Sequence, residues 1–446
     1  MTEDKLATMP VGRLLAQMSL PIMVSFFIQA LYNFVDSMFV AQLSEQALTA
    51  TSLAFPMQQI SHAIAVGTGI GMAAVIPKLA AKNEMEQANQ AAHSGIVLGA
   101  IYSLIFLVLG FFVAKPLYHQ LTTDPEIAFL GASYLRIVWM VSFGIFFGQC
   151  FEKMLMAAGH SMLSMVAQAS GALFNMIVDP LLIFGIGPFP KMGIIGAAVA
   201  TVMGQILAAI LAGILNAHYN RWINLSIEKL RLNVELAKEI IVVGFPSIIT
   251  IGLNAITSFS VNMILMGYSS TATAVYGIWI KLQSFCYMPL FGMNNALIPI
   301  LSFNHARKEN QRVTRVTKLA LRSALVAMVT IGIVLEIIPN HILALFNPSN
   351  NLLLIGQRAL KICLLSLPFA AVAIIRSASM QALEYSFYTL VVNVLRQFVL
   401  LAGLFLTFSL IFHDVNYLWW AVVLTELISA FIAEFLYRKM QREWDR

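Results

Sequence analysis

Residues 20–40 read LPIMVSFFIQALYNFVDSMFV, and residues 245–265 read FPSIITIGLNAITSFSVNMIL. Each run carries a proline near its start and is apolar on nearly every side. A stretch of about 20 such residues crosses a bilayer as one helix. The shift of 225 positions that pairs Pro21 with Pro246 also pairs Phe39 with Ile264, Ile60 with Phe285 and Gly67 with Gly292. It further pairs Glu84 with Glu309 and Arg136 with Lys361. One constant offset over more than 100 residues describes a chain built of two halves. A β-barrel is excluded, because barrel strands alternate apolar and polar residues over about 10 positions. The runs here are longer and do not alternate.

Working outward, 59% of the 446 residues are hydrophobic and 11% are charged, against about 25% charged in a soluble domain. That balance excludes an ordinary soluble enzyme, a disordered chain and a disulfide scaffold. Spans are expected at 17–40, 47–76, 94–114, 128–151, 162–186, 194–217, 240–266, 273–303, 318–339, 356–381, 389–412 and 418–437. The fold class is therefore an all-α polytopic membrane protein with 12 transmembrane helices. Six spans per half bring the second half in from the same side as the first, so the repeats are parallel. Two six-helix lobes, 1–220 and 221–446, then face each other across a central cleft.

Lys and Arg set the orientation. About 18 lie in loops on one side, while the opposite loops hold little beyond Lys115 and Lys191. Both termini are expected in the cytoplasm. The first apolar run is too long for the core of a cleaved signal peptide, so the first helix is expected to be retained. The net charge of +6 does not point to nucleic acid, because no basic patch has interleaved aromatics. Cys150, Cys286 and Cys363 lie in apolar segments and read as small buried hydrophobes.

A charge near the bilayer centre costs at least about 2.5–3.5 kcal/mol on insertion scales, so an intramembrane acid needs a partner or a task. Asp36 near the end of the first span, Asp179 late in the fifth and Thr201 early in the sixth all fall at one depth, in the outer half of the first lobe. Asn175 and Asp179 are one helical turn apart and share a face, as do Gln29, Asn33 and Asp36 on the first span. Pro180 and Pro21 each lack an N–H, which frees a carbonyl one turn earlier and favours a bend. Carboxylates, an amide oxygen and a hydroxyl are hard ligands that suit Na⁺ or a proton. The competing reading is that the two acids are structural and bonded to neighbouring helices.

Asn254, Ser258 and Asn262 form a polar stripe on the seventh span, and Lys281 and Gln283 lie within the eighth. Asn254, Ser258, Lys281 and Gln283, with Gln29 and Asn33, are candidates for lining a substrate cleft. Lys281 is alternatively expected to pair with an acid such as Glu426. Arg136 and Arg396 are expected to pair or to extend toward the interface, and Glu434 to be solvated or interfacial. Gly67, Gly69 and Gly71 lie inside an apolar span, which favours close helix packing over nucleotide binding. No GxxxxGK[ST], GxSxG or HExxH is present, and the histidines lack metal-ligand spacing. The chain reads as a non-enzyme that does not itself hydrolyse ATP.

These residues resemble the multidrug and toxic compound extrusion (MATE) transporters over about 12–437. The resemblance rests on Leu20-Pro21-Ile22, Asp36 within NFVDSMFV, AVGTGIG in the second span, and AAGHS before the fifth. It continues through FNMIVDPLLIFG from Phe174 to Gly185 and GAAVATV ending at Val202. The pattern looks closest to the bacterial DinF-like and MepA-like branches. It implies two six-helix lobes and export of amphipathic, often cationic compounds against inward H⁺ or Na⁺ by alternating access. Carried over, it implies a first-lobe cation site at Asp36, Asn175, Asp179 and Thr201, with Na⁺ as the possible metal, and bending at Pro21. It implies small-molecule substrates, a lipid environment, no nucleic acid and no cofactor beyond the coupling ion; a monomer is expected. Two departures stand out: Asn254 replaces the glutamate that many relatives carry in the seventh span, and QALEYS replaces the second-half AAGHS. The alternative function is a flippase for lipid-linked intermediates, for which Lys281, Arg396 and Arg136 are the intramembrane bases.

Overall fold

A computed structural model describes residues 6–122, 124–220, 222–224, 231–339, 343, 350–412 and 414–444. Backbone polar groups inside hydrocarbon must be satisfied within the chain, and apolar runs of this length achieve that as helices. The described residues contain helices and no strand. Span 1 is Val11–Ala41, span 2 Glu45–Ala81 and span 3 Met85–Phe112. Span 4 is a bent pair, Pro125–Met140 and Phe143–Ala157, with a 45° angle between them. Span 5 is Ser161–Phe184 and span 6 Ile194–Tyr219.

The second half repeats this plan. Span 7 is Val234–Met266. Span 8 is Ser270–Cys286 and Met288–Ala306, broken at Tyr287. Span 9 is Asn310–Ile337. Span 10 is a second bent pair, ending in Leu367–Ala382, with an angle of 44°. Span 11 runs from Ser386 to Ile411 through a π-helical turn at Leu395–Leu400. Span 12 is Trp420–Trp444. Twelve crossings return the chain to the face on which it began, called here the terminal face. The expected lobe boundary lies beside Arg221 and 225–230, which are outside the described residues.

The offset of 225 holds through these elements. Spans 2 and 8 start and stop in register, as do spans 3 and 9. The Ser44 and Ser269 hydroxyls each accept from the backbone N–H three residues on, at 3.0 and 3.1 Å. Pro21 and Pro246 both sit inside unbroken helices, and Ser25 and Thr250 each bond back to the proline carbonyl, at 3.2 and 2.6 Å. Pro21, expected to bend the helix, lies within a continuous helix, and the Ser25 hydroxyl bonds the proline's own carbonyl on the turn that follows.

The lobes meet through glycines. A Cβ on Gly67 of span 2 would lie 2.2 Å from Ile248 and 3.0 Å from the Gly244 carbonyl of span 7. A Cβ on Gly292 of span 8 would lie 2.3 Å from Met23 and 3.0 Å from the Ser19 carbonyl of span 1. These are one contact made twice under the 225 shift, the mark of a two-fold relation between the lobes. The Lys153 ammonium crosses the same junction to Asn295 at 2.6 Å. Residues before span 1 reach the second lobe, where Arg312 and Asn304 bond the Leu6 carbonyl.

Lys78 closes the terminal face. It bonds Glu239 at 2.8 Å and Glu384 at 2.7 Å, both in the second lobe. Glu384 stands where the first lobe has Gly159, and both adopt left-handed backbone, with φ of +71° and +78°. The departure of QALEYS from AAGHS thus leaves the turn intact, and Leu383 is buried. A glutamate in that conformation carries strain of roughly 1–2 kcal/mol, while a partly exposed ion pair returns about 0–1 kcal/mol. Glu384→Gly relieves the strain and loses the bridge, so thermal unfolding in detergent should move by less than about 4 °C. Glu384→Ala keeps the strain without the bridge and should unfold earlier than Glu384→Gly. In both, a cysteine placed at Ile248 should react several-fold faster with an impermeant maleimide added at the terminal face. Unchanged labelling would show that the bridge does not hold that face shut.

Candidate functional site

Small residues draw spans 5 and 6 together. A Cβ on Gly171 would lie 2.5 Å from the Gly204 carbonyl, and one on Gly196 would lie 2.7 Å from Leu182. These two crossings bracket Asn175, Asp179 and Thr201 and leave their side chains facing one another. A Cβ on Gly204 would lie 3.0 Å from the Asn175 Cβ. Span 1 packs against span 5 and delivers Asp36, whose carboxyl group interacts with that of Asp179.

The structure brings all four expected residues into one cluster. Asp179 is 0% exposed, Asn175 2% and Thr201 5%. Asp36 Oδ1, both Asp179 oxygens, Asn175 Oδ1 and Nδ2, and Thr201 Oγ1 are buried without hydrogen-bond partners. The alternative in which each acid bonds a neighbouring helix is met only by the interaction of Asp36 on span 1 with Asp179 on span 5. Ionised carboxylates are acceptors only, so two that face each other need a shared proton or a cation between them. The donor set is entirely hard oxygen apart from the amide nitrogen, which fits Na⁺ or H⁺.

Two tyrosines complete the surroundings. Tyr32 and Tyr134 both stand beside Thr201 and in the field of both carboxyls, and Gln58 stands beside Tyr134. Tyr32 is one turn before Asp36 and shares its face, a signal present in the sequence. Tyr134 lies on an apolar span with no periodic cue.

The candidate cleft residues are more dispersed. Gln29 and Ser258 are half-buried, Asn254 is exposed, and the Asn33 side chain lies outside the described residues. Gln283 donates to the Tyr287 hydroxyl at 3.1 Å. Lys281 is exposed and does not take Glu426. That acid accepts two hydrogen bonds from Arg396, at 2.7 and 2.8 Å. Spans 11 and 12 are adjacent, so Arg396 reaches Glu426 without crossing the lobe. Arg136 lies over the Phe111 ring at 5.0 Å. Glu434, expected to be solvated or interfacial, binds Arg376 and the exposed Arg438 at 2.7 and 2.8 Å. The three cysteines are free and buried.

Comparison with known proteins adds the following. The MatE family model matches twice, at residues 21–181 and 246–406, two stretches that are themselves 225 apart. An FAD transporter of Shewanella oneidensis is 26% identical over 406 residues, 90% of this chain and 88% of that one. Multidrug export protein MepA of Staphylococcus aureus is 23% identical over 425 residues, 95% of this chain and 93% of that one. A solved structure of a multidrug resistance MATE family transporter of the MOP superfamily, in an outward-facing conformation, matches with a TM-score of 0.91 at 20% identity. The match covers 96% of each chain.

Proposed function

The chain belongs to the MATE family of multidrug efflux transporters, and on that premise we propose that it is a cation-coupled antiporter exporting amphipathic, often cationic organic compounds. The observation that carries the reading is the first-lobe cluster of buried oxygens without partners, centred on Asp36 and Asp179. Substrate enters between the lobes from the cytoplasm. After the switch outward, H⁺ or Na⁺ binds among Asp36, Asn175, Asp179 and Thr201 and supplies the positive charge that the facing carboxylates lack. Span 1, held to span 5 through this cluster, then repacks and weakens the hold on substrate. Coupling requires that ion and substrate prefer different states. The chain works as a monomer in the bacterial inner membrane, with both termini cytoplasmic.

MepA is named for multidrug export and the Shewanella relative for FAD, so the substrate panel should include a cationic dye and FAD. The flippase alternative needs a basic cleft for a diphosphate headgroup. It has less support, because two of its three intramembrane bases are engaged, Arg396 with Glu426 and Arg136 over Phe111. The deciding experiment is efflux from proteoliposomes with a pH gradient or a Na⁺ gradient imposed separately. One of the two should drive uphill export. Flux indifferent to both would overturn the reading.

A further inference from the structure

The 225 shift carries the first-lobe cluster onto a definite place in the second. Asp36, Asn175 and Asp179 map onto Val261, Leu400 and Leu404, while Gln58 maps onto Gln283 and Thr201 onto Glu426. The same four spans of the lobe contribute, but the two facing acids have become aliphatic and a single acid stands at the threonine position. Glu426 is 5% exposed and not in want of a partner. The Arg396 Nε and Nη2 donate to its two oxygens, and the Tyr287 hydroxyl donates to Oε1 at 3.2 Å.

Arg396 itself is placed with purpose. It lies one and two helical turns before Leu400 and Leu404, on the face that carries Asn175 and Asp179 in the first lobe. Its own counterpart is Gly171, where the first lobe brings two backbones into contact. The second lobe substitutes a guanidinium for that contact, and span 11 widens into its π-helical turn at Leu395–Leu400. The Gln397 carbonyl in that turn is taken by the Thr257 hydroxyl, and Thr257 is the counterpart of Tyr32. The second lobe is thus electrically complete where the first has buried carboxylate oxygens without partners.

We infer that the Arg396 guanidinium is a built-in cation that closes the second-lobe counterpart of the ion site, so the chain has one exchangeable cation site and not two. The inference rests on the reading of the first lobe given above. A guanidinium stays protonated in proteins and is covalently attached, so it neither leaves nor titrates during a cycle. A bidentate buried pair strongly resists losing one partner, whereas removing both together is often tolerated.

The test is cation binding by the purified full-length chain in detergent, with ²²Na⁺ binding and proton uptake measured in parallel, alongside coupled efflux in proteoliposomes. The unmodified protein should bind one class of cation. Asp36→Asn with Asp179→Asn should remove it. Arg396→Met with Glu426→Leu should leave both cation binding and the ratio of cations to substrate unchanged. Arg396→Gln leaves Glu426 buried without its cation, and this variant should gain a second cation per chain. If Arg396→Gln fails to fold, the apolar double variant still decides. Cation binding that survives loss of Asp36 and Asp179 but vanishes with Arg396 and Glu426 would overturn the inference. So would a fall in the cation to substrate ratio of the apolar variant. An unmodified protein that takes up neither cation would overturn the first-lobe reading and this inference with it, a result told apart because the first-lobe variant then shows no change.

Discussion

Asp179→Asn should yield a folded transporter whose efflux no longer follows the imposed ion gradient. Asp179 is fully buried, and neither of its oxygens has a partner. The amide keeps the shape and removes the charge. Thermal unfolding should therefore be unchanged or later, since an uncompensated buried charge has been removed. Gradient-driven export should fall at least about tenfold, within the range of a coupling free energy of a few kcal/mol. Exchange of labelled for unlabelled substrate without a gradient should persist. Asp36→Asn should behave alike, and the double variant should be no worse than either single one, because the two carboxyls form one site. Additive losses would show two independent sites, and undiminished coupled export would sink the proposal.

Gly71→Leu should abolish export while leaving the protein in the membrane. A Cβ at Gly71 would fall 2.0 Å from the Ile240 carbonyl oxygen and 2.8 Å from its carbon. Both are backbone atoms of the opposite lobe and cannot rotate aside, so spans 2 and 7 must part. The first lobe should survive, because it holds a core of its own around Phe106, Tyr134, Trp139 and Phe146. Export in proteoliposomes should drop to background, and trimming Ile240 to alanine should not restore it. Gly292→Ala supplies the internal control. There the nearest atom is the Met23 Cγ, in a flexible side chain, and the nearest backbone atom is the Ser19 carbonyl oxygen at 3.0 Å, against 2.0 Å to backbone at Gly71. Part of the activity should remain, and full activity in Gly71→Leu would show that close lobe contact is not what these glycines provide.

The frame of the molecule is legible in the sequence because composition and length fix the spans and one offset relates the halves. The ends of the helices are less so. Span 3 was expected from 94 and begins at Met85, because a helix continues into water after apolarity has stopped, where MEQANQAAH still favours it. The bend of span 4 has no proline at its break, whereas that of span 10 falls just before Pro368, whose missing N–H interrupts the ladder at the start of Leu367–Ala382. Asp36, Asn175, Asp179 and Thr201 can be grouped because depth is countable along a helix at 1.5 Å per residue. Tyr134 escapes, since a single tyrosine in an apolar helix has no period. The partner of Glu426 escapes for a related reason: depth admits both Lys281 and Arg396, and only the adjacency of spans 11 and 12 chooses between them. At Glu384, the second half lacks the glycine that turns the chain at Gly159 in the first. The turn persists, and Lys78 binds the residue that stands there.

The paired crossings of Gly67 and Gly292 bear on ancestry. A chain of half this length would carry both surfaces of that contact, so two copies would associate through it as a homodimer. Six crossings return such a chain to the face on which it began, so a short tether on the terminal face suffices to fuse two genes into one without inverting either product. A homodimer must change both copies whenever it changes one. The fused chain is released from that constraint, and its two interiors have separated: facing acids at Asp36 and Asp179 in one, a tethered guanidinium at Arg396 in the other. One frame is repeated in both lobes, while the interiors it encloses differ.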